Sequence, residues 1–288
     1  MTTADFDYLR RLLKERSGLV LSADKRYLLE SRLLPIARRI GARTLGGLAQ
    51  KLRAPGTEGL AVEVVEAMTT NETFFFRDKL PFTHLRDTII PDLVRTRAAQ
   101  RRIRIWCAAA SSGQEPYSVA MLLKEMTALL SGWRVELLAT DLSAEMLERA
   151  KSGLYSQFEV QRGLPIQYLL RYFTQVGDMW QIVPELRAAV EFRQLNLLHP
   201  FAFLEPFDVV FCRNVLIYFD QPTKADVLSR LARVVRPDGY LLLGAAETVV
   251  GLTEAFRPHA EKRGLYLRQA DGQPRHSRLV PVASAEAS

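Results

Sequence analysis

Cysteine and histidine are both scarce in this chain of 288 residues, which has two of the first and four of the second. Cys107 and Cys212 lie in apolar runs typical of strands, where a buried free thiol is the ordinary finding. The histidines are scattered without the spacing of metal ligands. The sequence therefore predicts no metal site and no catalytic centre built on cysteine or histidine.

Long hydrophobic runs are also missing. No apolar stretch reaches the roughly eighteen residues that indicate a membrane-spanning helix. The first residues, Met-Thr-Thr-Ala-Asp-Phe-Asp, lack the basic and then apolar order of a secretory signal. We therefore expect a cytoplasmic protein without membrane insertion. Its 48% of hydrophobic residues are enough for a packed core, and nothing in the sequence requires more than a monomer.

A complete dinucleotide-binding fingerprint, Gly-x-Gly-x-x-Gly, is absent, because Ala108 and Ala110 leave only Gly113 in place. This disfavours a nicotinamide-dependent oxidoreductase. The segment nevertheless runs from a short apolar strand through small residues into an apolar helix. Small side chains let a ligand approach the backbone, and the helix presents unpaired N–H groups and its positive end. A ligand-binding loop is the prediction here.

From residue 102 onward, strand-like runs alternate with helix-like ones, which is typical of parallel β-α-β units and predicts an α/β domain with a doubly wound sheet. A hairpin near 171–183 interrupts the alternation. Residues 5–70 have helical apolar spacing, broken by glycine and proline into about four short helices. The predicted divisions are a helical domain over 1–75, a linker over 76–90, the α/β domain over 91–270 and a disordered tail over 271–288.

Basic residues outnumber acidic ones by 39 to 32, and the net charge of +7 indicates an acidic partner without choosing between nucleic acid, a membrane surface and a protein. A single helix would place four basic side chains at steps of seven, seven and four residues, and so in one narrow stripe. A solvated face is the ordinary interpretation of such a stripe, and a docking surface is the alternative. Its members are Lys25, Arg32, Arg39 and Arg43.

Four segments carry a more specific signal than the loop alone. They are Asn71-Glu-Thr-Phe-Phe-Phe-Arg-Asp78, Ala110-Ser-Ser-Gly-Gln-Glu-Pro-Tyr-Ser118, Ala139-Thr-Asp141 and Phe211-Cys-Arg-Asn-Val-Leu-Ile-Tyr-Phe-Asp220. In the order and spacing of these segments the chain resembles the chemotaxis receptor methyltransferases of the CheR family, over about residues 5–270. The resemblance implies a class I (Rossmann-like) methyltransferase domain with a mostly parallel sheet and a small β-hairpin subdomain, preceded by a small all-α domain.

The activity that the resemblance implies is transfer of a methyl group from S-adenosylmethionine to glutamate side chains in the cytoplasmic helices of chemoreceptors. The products are glutamyl methyl esters and S-adenosylhomocysteine, and the enzyme would be recruited to membrane-bound receptor arrays. In the family, a basic helix of the N-terminal domain faces the acidic methylation helices. Some members also hold a receptor's C-terminal peptide through an enlarged hairpin loop. The short stretch Thr174–Met179 favours a form without that tether.

Several site residues follow from the chemistry of this methyl donor. Asp141 suits the ribose diol because a carboxylate accepts from two hydroxyls, whereas the residues alone also allow a helix cap. Glu115 can accept from the ammonium group or merely complement the helix dipole. The family commonly has two acids there, and this chain has Gln114 before Glu115. Asn196, by itself a turn residue, would read the adenine edge beside Leu197.

Arg77 and Tyr218 are the predicted catalytic residues, because the resemblance places them near the reacting atoms. By themselves they read as an exposed arginine beside an aromatic stripe and as a half-buried aromatic. A glutamate has an ordinary pKa of about 4.3, so it is ionised at neutral pH and needs no general base. The residues predicted to contact the methyl donor are Asn71, Thr73, Arg77, Ala110, Gly113, Glu115, Asp141, Asn196, Leu197, Arg213 and Asn214.

Two other functions stay open on the sequence alone. A nucleic-acid methyltransferase would account for the basic charge, but the third strand ends in Arg213-Asn-Val-Leu-Ile-Tyr218 rather than the Asn/Asp-Pro-Pro-aromatic pattern of amino-methylating enzymes, and no nucleic-acid recognition motif is present. A scaffold that binds the methyl donor without turnover would retain the same motifs. We expect the chemoreceptor enzyme, with no nucleic acid as partner.

Overall fold

The N-terminal region folds into four α-helices in the computed structural model, which describes residues 1–269. The predicted tail over 271–288 lies outside the described residues. Glycine ends the first helix, since Gly18 has φ of 75° and its N–H donates to the carbonyl of Lys14. The four predicted helices are confirmed as α1 (Thr3–Ser17), α2 (Arg26–Arg39), α3 (Leu45–Leu52) and α4 (Glu58–Met68).

Most of the predicted linker over 76–90 is helical. Helix α5 (Leu80–His84), a π-helical turn (Leu85–Ile89) and helix α6 (Ile90–Thr96) follow each other directly. Apolar side chains at Phe82 and Leu93 pack into the core of the α/β region, which explains why this stretch is ordered as part of that region. The extended connection between the two regions is therefore short and spans residues 69–79, called here the joining segment.

The sheet of the C-terminal region has seven strands in the order β6-β2-β1-β7-β8-β10-β9, of which five are parallel and two antiparallel at one edge. The prediction of a mostly parallel sheet is confirmed. Apolar clusters cover both faces, as a doubly wound sheet requires. The strands are β1 (Arg102–Ala108), β2 (Arg134–Asp141), β6 (Val190–Gln194), β7 (Phe207–Cys212), β8 (Val235–Leu243), β9 (Phe256–Pro258) and β10 (Leu265–Arg268).

Helices connect these strands on both faces. A second, smaller sheet is formed by the part of the chain that follows β2 and precedes β6 in the sequence. The helices are α7 (Gln114–Glu125), α8 (Ala144–Ser152), α9 (Gln157–Gln161), α10 (Ile166–Tyr172), α11 (Pro184–Ala188) and α12 (Gln221–Val234). The smaller sheet contains the predicted hairpin, β4 (Phe173–Val176) and β5 (Met179–Ile182), joined by a two-residue turn. A third strand, β3 (Leu154–Ser156), pairs with β5 and is too short to stand out in the sequence.

Both cysteines are buried free thiols, as expected from their apolar runs. Burial raises the pKa of the Cys107 and Cys212 thiols well above the ordinary range, so neither is a reactive thiolate at neutral pH. Between residues 1 and 269, no helix has the length and apolar character needed to cross a membrane.

Candidate active site

A cavity opens at the carboxyl ends of β1, β2 and β7, where open α/β sheets place their ligands. Its volume is about 990 Å³ when the adjoining space open to solvent is included. The joining segment covers one side, and the N-terminal region contributes Ser17 and Leu19. We call it the strand-end cavity.

The small-residue loop after β1 forms one wall in a strained backbone conformation. Ala109 and Ser111 have φ of 61° and 50°, in the left-handed region that residues with a Cβ seldom adopt. Such strain concentrates at functional sites. Ala110 lines the cavity, and its N–H donates to the carbonyl of Thr140 over 2.9 Å. Neighbouring strand β2 therefore holds the loop in place.

Gly113 does not line the cavity. Its φ is 94°, and a Cβ there would lie 2.9 Å from Cβ of Ala150 and 3.1 Å from the Tyr155 hydroxyl. The glycine is needed for a tight turn and for close packing at the start of α7. Gly113 thereby helps to set the position of the small-residue loop.

Asp141 at the end of β2 is buried and faces the cavity. Its two carboxylate oxygens accept the backbone N–H groups of Ser111 (2.7 Å) and Ser143 (2.9 Å). Burial raises the pKa of Asp141, and these backbone hydrogen bonds partly offset the effect. The cap of α8 is the Ser143 hydroxyl, which accepts from the N–H of Met146. Asp141 is therefore not the cap of α8. It lines the cavity, and its carboxylate oxygens can accept further hydrogen bonds there.

Arg213 is a buried hub that joins three parts of the site. Its Nη1 donates to Oε2 of Glu115 over 2.6 Å, and its Nη2 donates to Oδ2 of Asp78 (2.7 Å) and to the carbonyl oxygen of Arg77 (2.9 Å). Burial raises the pKa of Glu115, and the guanidinium of Arg213 partly offsets it. The sequence predicted that Arg213 contacts the methyl donor. The structure adds that this side chain ties strand β7, helix α7 and the joining segment together.

The joining segment brings Asn71, Thr73 and Arg77 to the cavity. The carbonyl oxygen of Asn71 accepts from the Ser111 hydroxyl over 3.0 Å, which connects the segment to the small-residue loop. The half-buried Arg77 donates through Nη1 to the carbonyl of Glu72 over 2.7 Å. Its guanidinium lies at the cavity, and within residues 1–269 no carboxylate forms an ion pair with it.

Asn214 and Tyr218 lie on the loop after β7 and line the cavity from a third side. Asn214 has φ of 58°, and Tyr218 ends a 3₁₀ turn over Leu216–Tyr218. The carbonyl of Tyr218 accepts the N–H of Val20, so the N-terminal region contacts the loop that carries a predicted catalytic residue.

Asn196 and Leu197 also line the cavity, but the amide of Asn196 is engaged with its own surroundings. Its Nδ2 donates to the carbonyl of Arg16 over 2.7 Å, and its Oδ1 accepts the N–H of Leu198 over 2.9 Å. The structure therefore places Asn196 at the junction of the two regions, and its reading of an adenine edge stays a prediction.

With the exception of Gly113, all residues predicted to act in catalysis or to contact the methyl donor converge on one cavity. The sequence did not indicate the contributions of the N-terminal region, although the break at Ser17-Gly18 marks where α1 ends beside the site. Ala109 and Ser111 belong to the predicted small-residue loop, whereas cavity residues that were not predicted include Ser17, Leu19, Leu142, Leu195 and Val215.

The predicted basic stripe is interrupted because α2 is shorter than the spacing assumed. The helix begins after Lys25, which lies in a 3₁₀ turn, and it ends at Arg39. The chain then turns through Gly41, with φ of 73°, and Arg43, with φ of 56°. Lys25, Arg39 and Arg43 are exposed, but they lie on three different backbone segments.

Arg32 turns towards the protein rather than outward with the others. Its Nη1 donates to the carbonyls of Met68 (2.9 Å) and Thr69 (2.8 Å), where α4 leads into the joining segment. Arg39 pairs with Glu63 on the surface. The hydrogen bonds of Arg32 to the end of α4 therefore could not be predicted from the spacing of the basic residues.

The polar groups that line the cavity fit S-adenosylmethionine. Asp141 offers a carboxylate to a diol, and Glu115 adds a second buried carboxylate that can face an ammonium or sulfonium group. The small-residue loop leaves its backbone open to a ligand. Among residues 1–269, no group of three or more histidine, cysteine, aspartate or glutamate side chains is arranged to hold a metal ion.

Comparison with known families agrees with this geometry. Residues 71–265 match the family model described as "CheR methyltransferase, SAM binding domain", and residues 4–69 match "CheR methyltransferase, all-alpha domain". The chain belongs to the CheR methyltransferase family. Its two parts are thus the all-α domain and the S-adenosylmethionine-binding methyltransferase domain of that family, and the class I methyltransferase fold predicted for the second part is confirmed.

Several chemotaxis protein methyltransferases are similar to this chain over most of their length. The chemotaxis protein methyltransferase 1 of Pseudomonas aeruginosa is 44% identical over 258 residues, which are 88% of this chain and 93% of the relative. The chemotaxis protein methyltransferase Cher2 of Pseudomonas putida is 43% identical over 257 residues, with the same two shares. The chemotaxis protein methyltransferase of Escherichia coli is 36% identical over 262 residues, covering 89% of this chain and 88% of the relative.

Proposed function

We propose that this protein transfers the methyl group of S-adenosylmethionine to glutamate side chains in the cytoplasmic helices of chemoreceptors. The observation that carries the proposal is the strand-end cavity, where two buried carboxylates, Asp141 and Glu115, lie beside the half-buried Arg77 and Tyr218. The carboxylates suit the donor, whereas a guanidinium and a phenol suit an incoming carboxylate. The names of the relatives support chemotaxis as the setting.

Asp141 would hold the ribose hydroxyls and Glu115 the amino-acid end of the donor. The donor supplies an electrophilic methyl group on a sulfonium. A glutamate carboxylate is already ionised at neutral pH, so the site has no proton to remove before attack. Its task is to align nucleophile and methyl group at about 3 to 3.5 Å and to exclude water.

Arg77 would orient the incoming carboxylate, and Tyr218 would help to place it. In the part of the chain that the structure describes, Arg77 donates to the backbone carbonyl of Glu72 and forms no ion pair, so its guanidinium can take a carboxylate without first losing one. Tight pairing would make the carboxylate a weaker nucleophile. The arrangement favours orientation at one edge of the guanidinium over a two-point clamp.

For receptor docking, we propose the exposed basic residues at the two ends of α2. Lys25 precedes the helix, while Arg38 and Arg39 end it and Arg43 follows. These charges can meet an acidic helix, with an affinity that falls as salt rises. Arg32 is left out, because its guanidinium is used by the carbonyls at the end of α4. The receptor complex would bring this protein to membrane-bound receptor arrays.

The deciding experiment is transfer of a labelled methyl group from S-adenosylmethionine to a chemoreceptor cytoplasmic fragment, followed by mild alkali. Release of volatile methanol is expected, because a glutamyl methyl ester is labile to base. A fragment with its methylatable glutamates changed to alanine is the control and should stay unlabelled. Alkali-stable label on protein or nucleic acid would contradict the proposal. Donor binding without transfer to several receptors would leave a donor-binding scaffold instead.

A further inference from the structure

Glu247 is a buried acidic residue that the site described above does not use. It lies four residues after the end of β8, on a turn in which its N–H donates to the carbonyl of Gly244 over 3.0 Å. Its exposed fraction is 8%, and it is not among the residues that line the strand-end cavity. The Tyr266 hydroxyl donates to its carbonyl oxygen over 3.3 Å. The backbone of Glu247 is therefore fixed from two sides.

The carboxylate of Glu247 accepts four backbone N–H groups. Oε2 accepts from Asn214 (2.8 Å) and Gly244 (2.7 Å), while Oε1 accepts from Val215 (3.0 Å) and Ile217 (3.3 Å). A carboxylate has about four lone-pair positions, so this acceptor capacity is filled by the protein itself. Three of the four donors belong to the loop that follows β7, and the fourth belongs to the end of β8.

Residues 213–218 need such an anchor because they have left the sheet. Strand β7 ends at Cys212, and Asn214 then adopts the left-handed conformation with φ of 58°. Backbone in this region is costly for a residue with a Cβ and persists only where its surroundings hold it. The same loop carries Asn214, Val215 and Tyr218 into the strand-end cavity.

We propose that Glu247 is a positioning residue for methyl transfer. Its carboxylate holds the backbone of the 213–218 loop and thereby sets where Tyr218 lies against the reacting atoms. The two carboxylates proposed to hold the donor are fixed separately, since Asp141 is held by Ser111 and Ser143 and Glu115 by Arg213. Of the residues predicted to contact the donor, Asn214 is the one whose N–H donates to Glu247. Glu247 should therefore control the rate of transfer more than the affinity for the donor. This inference rests on the function proposed above.

The first test is Glu247→Gln in the full chain. The amide keeps one oxygen, so two of the four N–H groups would face an NH₂ group in place of an acceptor. We expect kcat for receptor methylation to fall about tenfold or more, as the loss of charged hydrogen bonds predicts. The dissociation constant for S-adenosylmethionine should change by less than about threefold. Amide hydrogen exchange in residues 213–218 should become faster, while exchange in β1 and β2 stays unchanged.

Tyr266→Phe is the matched control, because it removes the hydroxyl contact to the Glu247 carbonyl and leaves the carboxylate in place. It should retain kcat and the slow exchange of residues 213–218. Unchanged exchange of that loop in Glu247→Gln would overturn the proposal, and so would a donor affinity that falls in step with kcat. If the wild-type chain methylates no receptor, the proposed function fails, and loop exchange still decides whether Glu247 holds the loop.

Gly244→Ala tests the same contact through packing and serves if Glu247→Gln does not fold. An added Cβ would lie 2.8 Å from Oε2 of Glu247 and 2.7 Å from Nδ2 of Asn214, so both must shift. The expected result is again a lower kcat with nearly unchanged donor affinity. Gly59→Ala is the control, since no neighbouring atom among the described residues lies within 4 Å of its added Cβ. Equal kcat values in the two alanine variants would contradict the proposed role of Glu247.

Discussion

The strand-end cavity and the basic surface of helix α2 were predicted from two different sequence patterns. The first pattern predicted the positions of side chains better than the second. Parallel strands place their carboxyl ends at one edge of a sheet, so Asp141 and Arg213 come together although they are far apart in sequence. The stripe on α2 depends on one helix continuing for nineteen residues from Lys25 to Arg43, and the helix has fourteen. Topology is a stronger constraint here than helical periodicity.

The largest effect is expected at the cavity, from Asp141→Asn. The amide has nearly the same shape, but its NH₂ group would face one of the backbone N–H groups that the carboxylate accepts, and the charge that suits the diol is lost. We expect affinity for S-adenosylmethionine to fall about tenfold to a hundredfold, since hydrogen bonds to charged groups contribute about 1.5–3 kcal/mol. Isothermal titration calorimetry measures the change.

Asp178→Asn is the control for that experiment, because Asp178 is exposed in the turn of the hairpin of the smaller sheet and is not among the residues that line the strand-end cavity. It should bind the donor like the wild type. Equal affinity of Asp141→Asn and wild type would show that the strand-end carboxylate does not hold the ligand.

Arg77→Ala tests the acceptor side of the same cavity. Loss of the guanidinium removes the group proposed to orient the glutamate, so we expect kcat/KM for the receptor to fall about tenfold or more. Affinity for the methyl donor should change less than kcat/KM, because alanine keeps the backbone carbonyl that accepts from Arg213 and leaves Asp141 and Glu115, the two carboxylates proposed to hold the donor, in place. Arg86→Ala is the control, since Arg86 is exposed and pairs with neighbouring Asp87. A receptor kcat/KM equal in both variants would remove Arg77 from the mechanism.

Sequence reasoning located the cavity because its residues follow strands or precede a helix, where backbone topology fixes their direction. Hydrogen bonds between a side chain and the backbone of a distant segment were outside its reach. Glu247 follows a strand as Asp141 does, yet its role depends on N–H groups thirty residues earlier in the chain. The same applies to Asn196. Its side-chain chemistry suggests that it reads an adenine edge, but in the structure its amide donates to the carbonyl of Arg16, where the two regions meet. Local pattern predicts an element, and packing between elements decides what its side chains contact.

Arg32→Ala and Arg39→Ala divide the predicted stripe into its two kinds of residue. Arg32 donates to two carbonyls at the end of α4, so its loss should lower the free energy of unfolding by about 1–3 kcal/mol. Arg39 forms an exposed ion pair with Glu63, and its loss should cost about 0–1 kcal/mol. Urea unfolding of both variants measures the difference.

In receptor binding the order of these two residues should reverse. Arg39→Glu is expected to weaken docking several-fold at low salt, with donor affinity unchanged, because an exposed charge acts mainly through screened attraction. Arg39→Gln separates loss of charge from its reversal. If Arg39→Glu binds the receptor fragment like the wild type at low salt, the ends of α2 are not the docking surface.

The smallest effect is expected at the junction between the two regions, from Asp220→Asn. Asp220 pairs with Lys14 of α1 over 2.6 Å and caps α12 by accepting the N–H of Thr223. Asparagine caps a helix about as well, so the substitution removes mainly the ion pair, worth about 0.2–1 kcal/mol at the surface. Chiefly through the Lys14 hydrogen bond, the pKa of Asp220 is lowered from 3.8 to about 2.

A pKa that is lower in the folded state contributes stability above the unfolded pKa and loses it as the pH falls through the folded value. The difference in unfolding free energy between wild type and Asp220→Asn should therefore be constant from neutral pH to about pH 5 and shrink between about pH 4 and pH 2. Lys14→Met in the same series should reproduce that dependence, because it removes the other partner. A difference that persists unchanged at low pH would mean that the cap, and not the contact between α1 and the loop beside Tyr218, is what Asp220 contributes.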